Sequence, residues 1–262
     1  MIPCNLIADA DSVLYNRRVK INPLNGEILE DMCCSRPVFN PTGAVLLGGK
    51  TVGETRGKPD KPGGKPEDED SAGASDAQRR AARRARKQLF ELCACNDLDL
   101  FFTLTLNKGV IDRYDYKTAV RKFGQWADNR VRRNGLRYVA VPELHKDGAI
   151  HFHGLCGSDA VRLVDSGKTD QKSGQKVFNL PDWRFGFTTA IYVYGARDAA
   201  AHYVARYVTK QAQGGTIGGR YYFHGGALQQ AHCKYFHEDY VEFSGKEIEC
   251  SKAAGLCIKY AV

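Results

Sequence analysis

The chain has 262 residues, 43% of them hydrophobic, and carries a formal charge of +8 from 38 basic and 30 acidic side chains. The apolar content is ordinary for a globular protein and allows one large core or two small ones, while the basic excess favours a polyanionic partner, nucleic acid first. Nine cysteines are present, but Cys33 with Cys34 and the CxC of Cys93 and Cys95 close no zinc site, so reduced thiols in a cytosol are expected. The N-terminal MIPCNLIADADSVLYNRR lacks a charged start followed by a long apolar run. No stretch approaches the ~20 apolar residues of a membrane span, so neither export nor a membrane partner is expected.

Residues 1–47 contain scattered apolar positions (Leu6, Ile7, Val13, Leu14, Val19, Ile21) without a sustained period, which reads as an arm that either packs on the main domain or hangs free. Residues 48–75 are rich in Gly, Pro and charge. They offer too little burial to offset ordering entropy and read as a disordered linker, leaving 76–262 as the main domain. GAVLLGGKT at 43–51 ends like a phosphate-binding loop, but Ala44 stands where GxxxxGK[ST] needs glycine and no helix follows. A bound nucleotide is not expected.

From Asp76, a capping residue, a helix is predicted through Leu92. It carries Arg79, Arg80, Arg83, Arg84, Arg86 and Lys87, either as a solvated charged face or as an arm that contacts phosphates. Residues 98–107, LDLFFTLTLN, alternate Phe102, Leu104 and Leu106 against Phe101, Thr103, Thr105 and Asn107, which predicts a strand with one strongly apolar face. Residues 115–134 place Tyr116, Val120, Phe123, Ala127 and Val131 at helical spacing before Asn134-Gly135, a C-terminal stop. Two strands follow, 136–144 and 149–156, around an Asp147-Gly148 turn. After a polar stretch at 158–176, GFTTAIYVY at 186–194 reads as another strand. A helix from Asp198 to about Gln213 buries Ala201, Val204, Ala205 and Val208. Beyond it lie short aromatic runs that fit edge strands. This order predicts an α+β fold with helices on a largely antiparallel sheet.

Two spacings carry chemistry. In AIHFHGL, His151 and His153 stand two apart and share a strand face. If the turn is the three-residue Lys146-Asp147-Gly148, Glu143 lies opposite His151 and joins that face; a two-residue turn puts Leu144 there instead. The first register gives a facial N,N,O set suited to Mg²⁺ or Mn²⁺ in phosphoryl transfer. In YVARYVTK, Tyr203 and Tyr207 stand one helical turn apart with Lys210 three residues on. They are either rim tyrosines or nucleophiles, the latter needing a nearby cation because a phenol has a pKa of about 10.

These segments resemble the HUH endonucleases, the rolling-circle replication initiators of small phages and plasmids, in which U stands for an apolar residue. FFTLTLN resembles the family's first motif, PELHKDGAIHFHGL its metal motif with an upstream acid, and YVARYVTK its YxxxYxxK motif. FNLPDWRFGFTTAIYVYG at 178–195 is similar to the replication-associated proteins of filamentous phages and microviruses. The resemblance spans roughly 76–230. It implies a ferredoxin-like or RRM-like antiparallel sheet, a divalent cation on His151, His153 and Glu143, Tyr207 as primary nucleophile, Tyr203 as the second, and Lys210 at the scissile phosphate.

The activity so implied is site-specific nicking of single-stranded origin DNA and strand transfer through a 5′-phosphotyrosine, in a bacterial host cytoplasm, with helicase and polymerase supplied by the host. The histidines precede the tyrosines, the order of initiators and not of conjugative relaxases. Rival readings are a non-catalytic single-strand binder and a transposase of the same superfamily. Arg79, Arg80, Arg83, Arg84 and Arg206 are expected to meet phosphates, and Trp183 and Arg184 to stack on or read an unpaired base.

Overall fold

The computed structural model describes residues 13–40, 76–145, 147–171, 173–193, 197–212, 216–217, 219–236, 246–251 and 256–261. In chain order its elements are β1 (Val13–Ile21), β2 (Ile28–Asn40), α1 (Asp76–Ala94), β3 (Leu100–Thr105), α2 (Tyr116–Asn134), β4 (Tyr138–Leu144), β5 (Ile150–Cys156), β6 (Val164–Thr169), β7 (Lys176–Asn179), β8 (Thr188–Tyr192), α3 (Arg197–Ala212), β9 (Phe223–Gly225), β10 (His232–Phe236), β11 (Lys246–Ser251) and β12 (Leu256–Ala261). The strands form a five-stranded sheet, β10-β1-β2-β12-β11, and a seven-stranded sheet, β6-β7-β8-β3-β5-β4-β9. All ladders between these strands are antiparallel. The architecture is α+β, as the order of elements predicts.

The chain divides into two compact units, Ala72–Gln230 and, from the segments Met1–Ser71 and Ala231–Val262, a second. This division differs from a main domain running over 76–262, because β10 and β12 pair with β1 and β2 and not with the larger sheet. The stretch expected to be a linker, 48–75, and the GKT at 49–51 lie outside the described residues. In the smaller unit, Arg17 grips Asp31 through two hydrogen bonds of 3.0 and 2.7 Å, and Arg18 meets Glu30 at 2.6 Å. Both acids are buried, so each needs its guanidinium partner to remain charged there.

In the larger unit the alternation of β3 sorts the core onto two faces. Phe102, Leu104 and Leu106 pack with Ala119, Phe123, Trp126 and Ala127 of α2. Helix α2 starts at Asp115, whose carboxylate accepts from the Thr118 N–H, and stops at Gly135 in the left-handed region at φ 70°. Its buried stripe includes Trp126, whereas Tyr116, expected inside, is exposed. On the other face Val139, Val141 and Leu155 pack with Ala85, Leu89 and Cys93 of α1 and with Ala201, Val204, Ala205 and Val208 of α3. Helix α1 thus buries small and aliphatic residues and leaves its arginines outside. No helix among the described residues is long and apolar enough to cross a membrane.

Candidate functional site

Local turn chemistry fixes the register of the β4–β5 hairpin. The His145 N–H donates to the Ala149 carbonyl at 2.8 Å, the Gly148 N–H donates to the His145 carbonyl at 2.8 Å, and Gly148 takes φ 82°. The Asp147 carboxylate accepts from the Ala149 N–H at 3.1 Å and secures the turn. This is the three-residue turn, and Glu143 lies opposite His151. Glu143, His151 and His153 therefore share a face.

Gly154 serves the same strand pairing from the opposite face. A Cβ there would collide with the Val139 carbonyl and the Phe102 ring, so no larger residue fits after His153. The smallest side chain lets β5 lie flush between its neighbours.

Behind the histidines, β3 supplies two hydroxyls. Thr103 Oγ1 lies 3.0 Å from His153 Nδ1, and Thr105 Oγ1 lies 3.4 Å from His151 Nδ1. On the other side of His153, Nε2 stands 2.9 Å from Glu143 Oε2. A threonine hydroxyl can donate to Nδ1 when Nε2 carries the proton toward Glu143, or accept from Nδ1–H when Nε2 offers its lone pair. The ring is thus oriented in either tautomer. His151 is half-buried, and desolvation, followed by the neighbouring His145, holds its pKa below the usual histidine value. It is neutral at pH 7 and available as a ligand.

Helix α3 brings the tyrosines over this face. Burial of Ala201, Val204, Ala205 and Val208 turns Tyr207 inward, where it is 8% exposed, while Tyr203 at the rim is 42% exposed. The Tyr207 ring lies parallel to the His153 imidazole, 4.3 Å away with 6° between planes. Its O–H donates to Tyr203 Oη at 2.9 Å. Tyr203 stands edge-on to Phe101 at 5.3 Å, and the Arg206 guanidinium lies 5.1 Å from its ring centroid. Desolvation pushes the Tyr207 pKa well above the usual phenol value, aided by the bond to Tyr203 and the charge of Glu143 and opposed by Arg206. At neutral pH this phenol keeps its proton unless positive charge comes closer.

The structure thus brings together His151, His153, Glu143, Tyr203 and Tyr207. Lys210 belongs to α3, but its side chain lies outside the described residues. Arg79, Arg80, Arg83, Arg84, Arg184 and Arg206 are exposed. Trp183 is a correction: at 3% exposure it is a core residue, packed against Trp126 and Phe185, with its indole N–H donating to the Thr105 carbonyl at 3.1 Å. It cannot stack on a base. Three contributors escaped the sequence reading: His145, stacked on His151 at 5.2 Å, and the paired Thr103 and Thr105. The i+2 alternation from Glu143 to His145 and along FTLTL was their signal.

The donor set of two imidazoles and a carboxylate has the chemistry that Mg²⁺ or Mn²⁺ accepts. As arranged, Glu143 bonds to His153 directly, and no group of three or more His, Cys, Asp or Glu side chains among the described residues has the mutual geometry to hold a metal ion.

The fold and site together define an α+β domain with a histidine pair on an antiparallel sheet beneath a tyrosine pair on a helix. Residues 99–212 match the sequence model of a family described as replication-associated protein ORF2. The match starts just before β3, ends with α3 and so includes the whole of this site. It bears out the resemblance to rolling-circle replication initiators and supports a role in replication initiation. Searches of curated proteins and of solved structures return no match.

Proposed function

We propose that the chain nicks single-stranded DNA at a replication origin and transfers the strand through a covalent phosphotyrosine, initiating and ending rolling-circle replication of a phage or plasmid. The observation that carries this reading is the stacking of Tyr207 on His153 beside Glu143. It sets a phenol oxygen against an N,N,O ligand set, the pairing that transesterification of a phosphodiester requires.

Tyr207 Oη attacks the scissile phosphorus, forming a tyrosyl O–P bond as the P–O3′ bond breaks. The 5′ phosphate stays on the protein. The Tyr207 proton already points at Tyr203 Oη, so the exposed Tyr203 can pass it to solvent, and the departing 3′ oxygen takes up a proton to become a free hydroxyl. Arg206, beside the Tyr203 ring, opposes the rise of the Tyr207 pKa and favours loss of that proton. Tyr203 then supplies a second hydroxyl for strand transfer. Lys210 is proposed to assist at the phosphate.

Glu143, His151 and His153 would hold Mg²⁺ or Mn²⁺, which when bound supplies positive charge beside the phenol and polarises the phosphate. The exposed arginines of α1 fit contact with the DNA backbone. Host helicase and polymerase would act on the product.

The test is incubation with Mn²⁺ and single-stranded oligonucleotides tiled over the replicon that carries the gene, followed by a denaturing gel. A covalent protein–DNA band is expected for one tile. Binding without any adduct would support a non-catalytic single-strand binder.

A further inference from the structure

The face that carries Glu143, His151 and Thr105 continues one strand further. Leu104 pairs with Thr188 across β3 and β8, and the Thr105 N–H donates to the Phe187 carbonyl at 2.8 Å, so Thr105 lies opposite Phe187. Thr188 accepts at its hydroxyl from the N–H of Leu180, a residue of the α2-side core, so Phe187 alternates onto the opposite face, that of the histidines. One row across four strands therefore reads Glu143, His151, Thr105, Phe187. Phe187 is 70% exposed. Two strand spacings, about 10 Å, separate it from His151.

The segment that presents Phe187 is tightly held. The Trp183 indole N–H bonds to the Thr105 carbonyl, the Phe187 carbonyl accepts from the Thr105 N–H, and the Asn107 N–H donates to the Phe185 carbonyl at 2.9 Å. A Cβ at Gly186 would collide with the Thr105 carbonyl, so the backbones touch there. A large aromatic ring is thus fixed in water beside the site, with Arg184 exposed three residues before it. Leaving such a ring wet has no folding benefit.

We infer that Phe187 is a stacking platform for a base of the single strand next to the scissile phosphate. Resting on the proposed nicking function, this names a positioning residue for its substrate. A flat ring beside a phosphate site, exposed in a chain with net charge +8, fits the pairing of stacking and electrostatics by which single strands are held. The neighbouring Arg184 supplies a backbone contact.

The experiment measures anisotropy of fluorescein-labelled oligothymidylate with the wild-type chain and with Phe187→Ala, Phe187→Leu and Phe187→Tyr, alongside thermal melts. Loss of a base–aromatic stack should weaken binding roughly fivefold or more in the Ala and Leu variants, with the Tyr variant close to wild type. Melting temperatures should hardly move, because the ring is exposed. Wild-type affinity in Phe187→Ala, or full rescue by Leu, would overturn the inference. Adduct formation, assayed separately, judges the nicking reading: a wild-type protein that binds through Phe187 but never forms an adduct fails that reading alone.

Discussion

Tyr207 and His153 stack face to face, 4.3 Å apart, and the same imidazole holds Glu143 through its far nitrogen. Tyrosine and carboxylate are therefore joined through one ring. Phe in place of Tyr207 keeps the ring and its stacking and removes only the hydroxyl. The Tyr207→Phe protein should give no adduct at the Tyr207 position on a denaturing gel, while losing no more than about 1 kcal/mol of stability in urea unfolding, the worth of one hydrogen bond.

Glu143→Gln preserves shape and removes charge. Since Glu143 is proposed as a ligand, Mn²⁺ affinity measured by calorimetric titration should fall at least about tenfold, the smaller loss seen even for partners one shell out. An unchanged affinity would move the cation away from Glu143.

The two perturbed groups give stability opposite pH limits. His151 has a depressed pKa in the folded state, so its contribution is complete above the unfolded value of about 6.5 and is lost as pH falls through the folded value. Tyr207 has a raised pKa, so its contribution is present below about pH 10 and is lost as pH rises beyond that. Thermal melts across pH should fall at both ends, and His151→Gln should flatten only the acid side. Nicking should speed up with pH from neutrality, because Tyr207 must shed its proton to attack.

Trp183 is buried and bonded to the strand that carries both threonines. Trp183→Ala should cost about 3–5 kcal/mol in urea unfolding, as for a large aromatic lost from a core. A change of less than about 1 kcal/mol would contradict its place in the core.

Much of the site was legible because its signals are local. Asp147-Gly148 specifies a tight hairpin, and counting back from a three-residue turn puts Glu143 beside His151, with the turn length left open until the His145–Ala149 bond is seen. The alternation of LFFTLTL set the two faces of β3 correctly. What was not legible depends on distant packing. Trp183 sits in a polar, turn-rich stretch, and only the covering α2 and the Thr105 carbonyl make it core. Phe187 belongs to an alternating run that any strand could bury; its exposure depends on which part of the sheet the helices cover, which no local pattern states. Strand β6 is almost wholly exposed and carries no apolar period, so it read as an excursion. Strands β1 and β2 escaped because their charged pairs, Arg17 with Asp31 and Arg18 with Glu30, interrupt the alternation.

The central claim is that Tyr207 carries the DNA. Arg206 separates the two tyrosines, so trypsin leaves Tyr203 in DAAAHYVAR and Tyr207 in YVTK. Mass spectrometry of the trapped covalent complex, after nuclease and trypsin digestion, should find the nucleotide-modified residue at Tyr207. Modification confined to Tyr203, or to any residue outside this pair, would contradict the account.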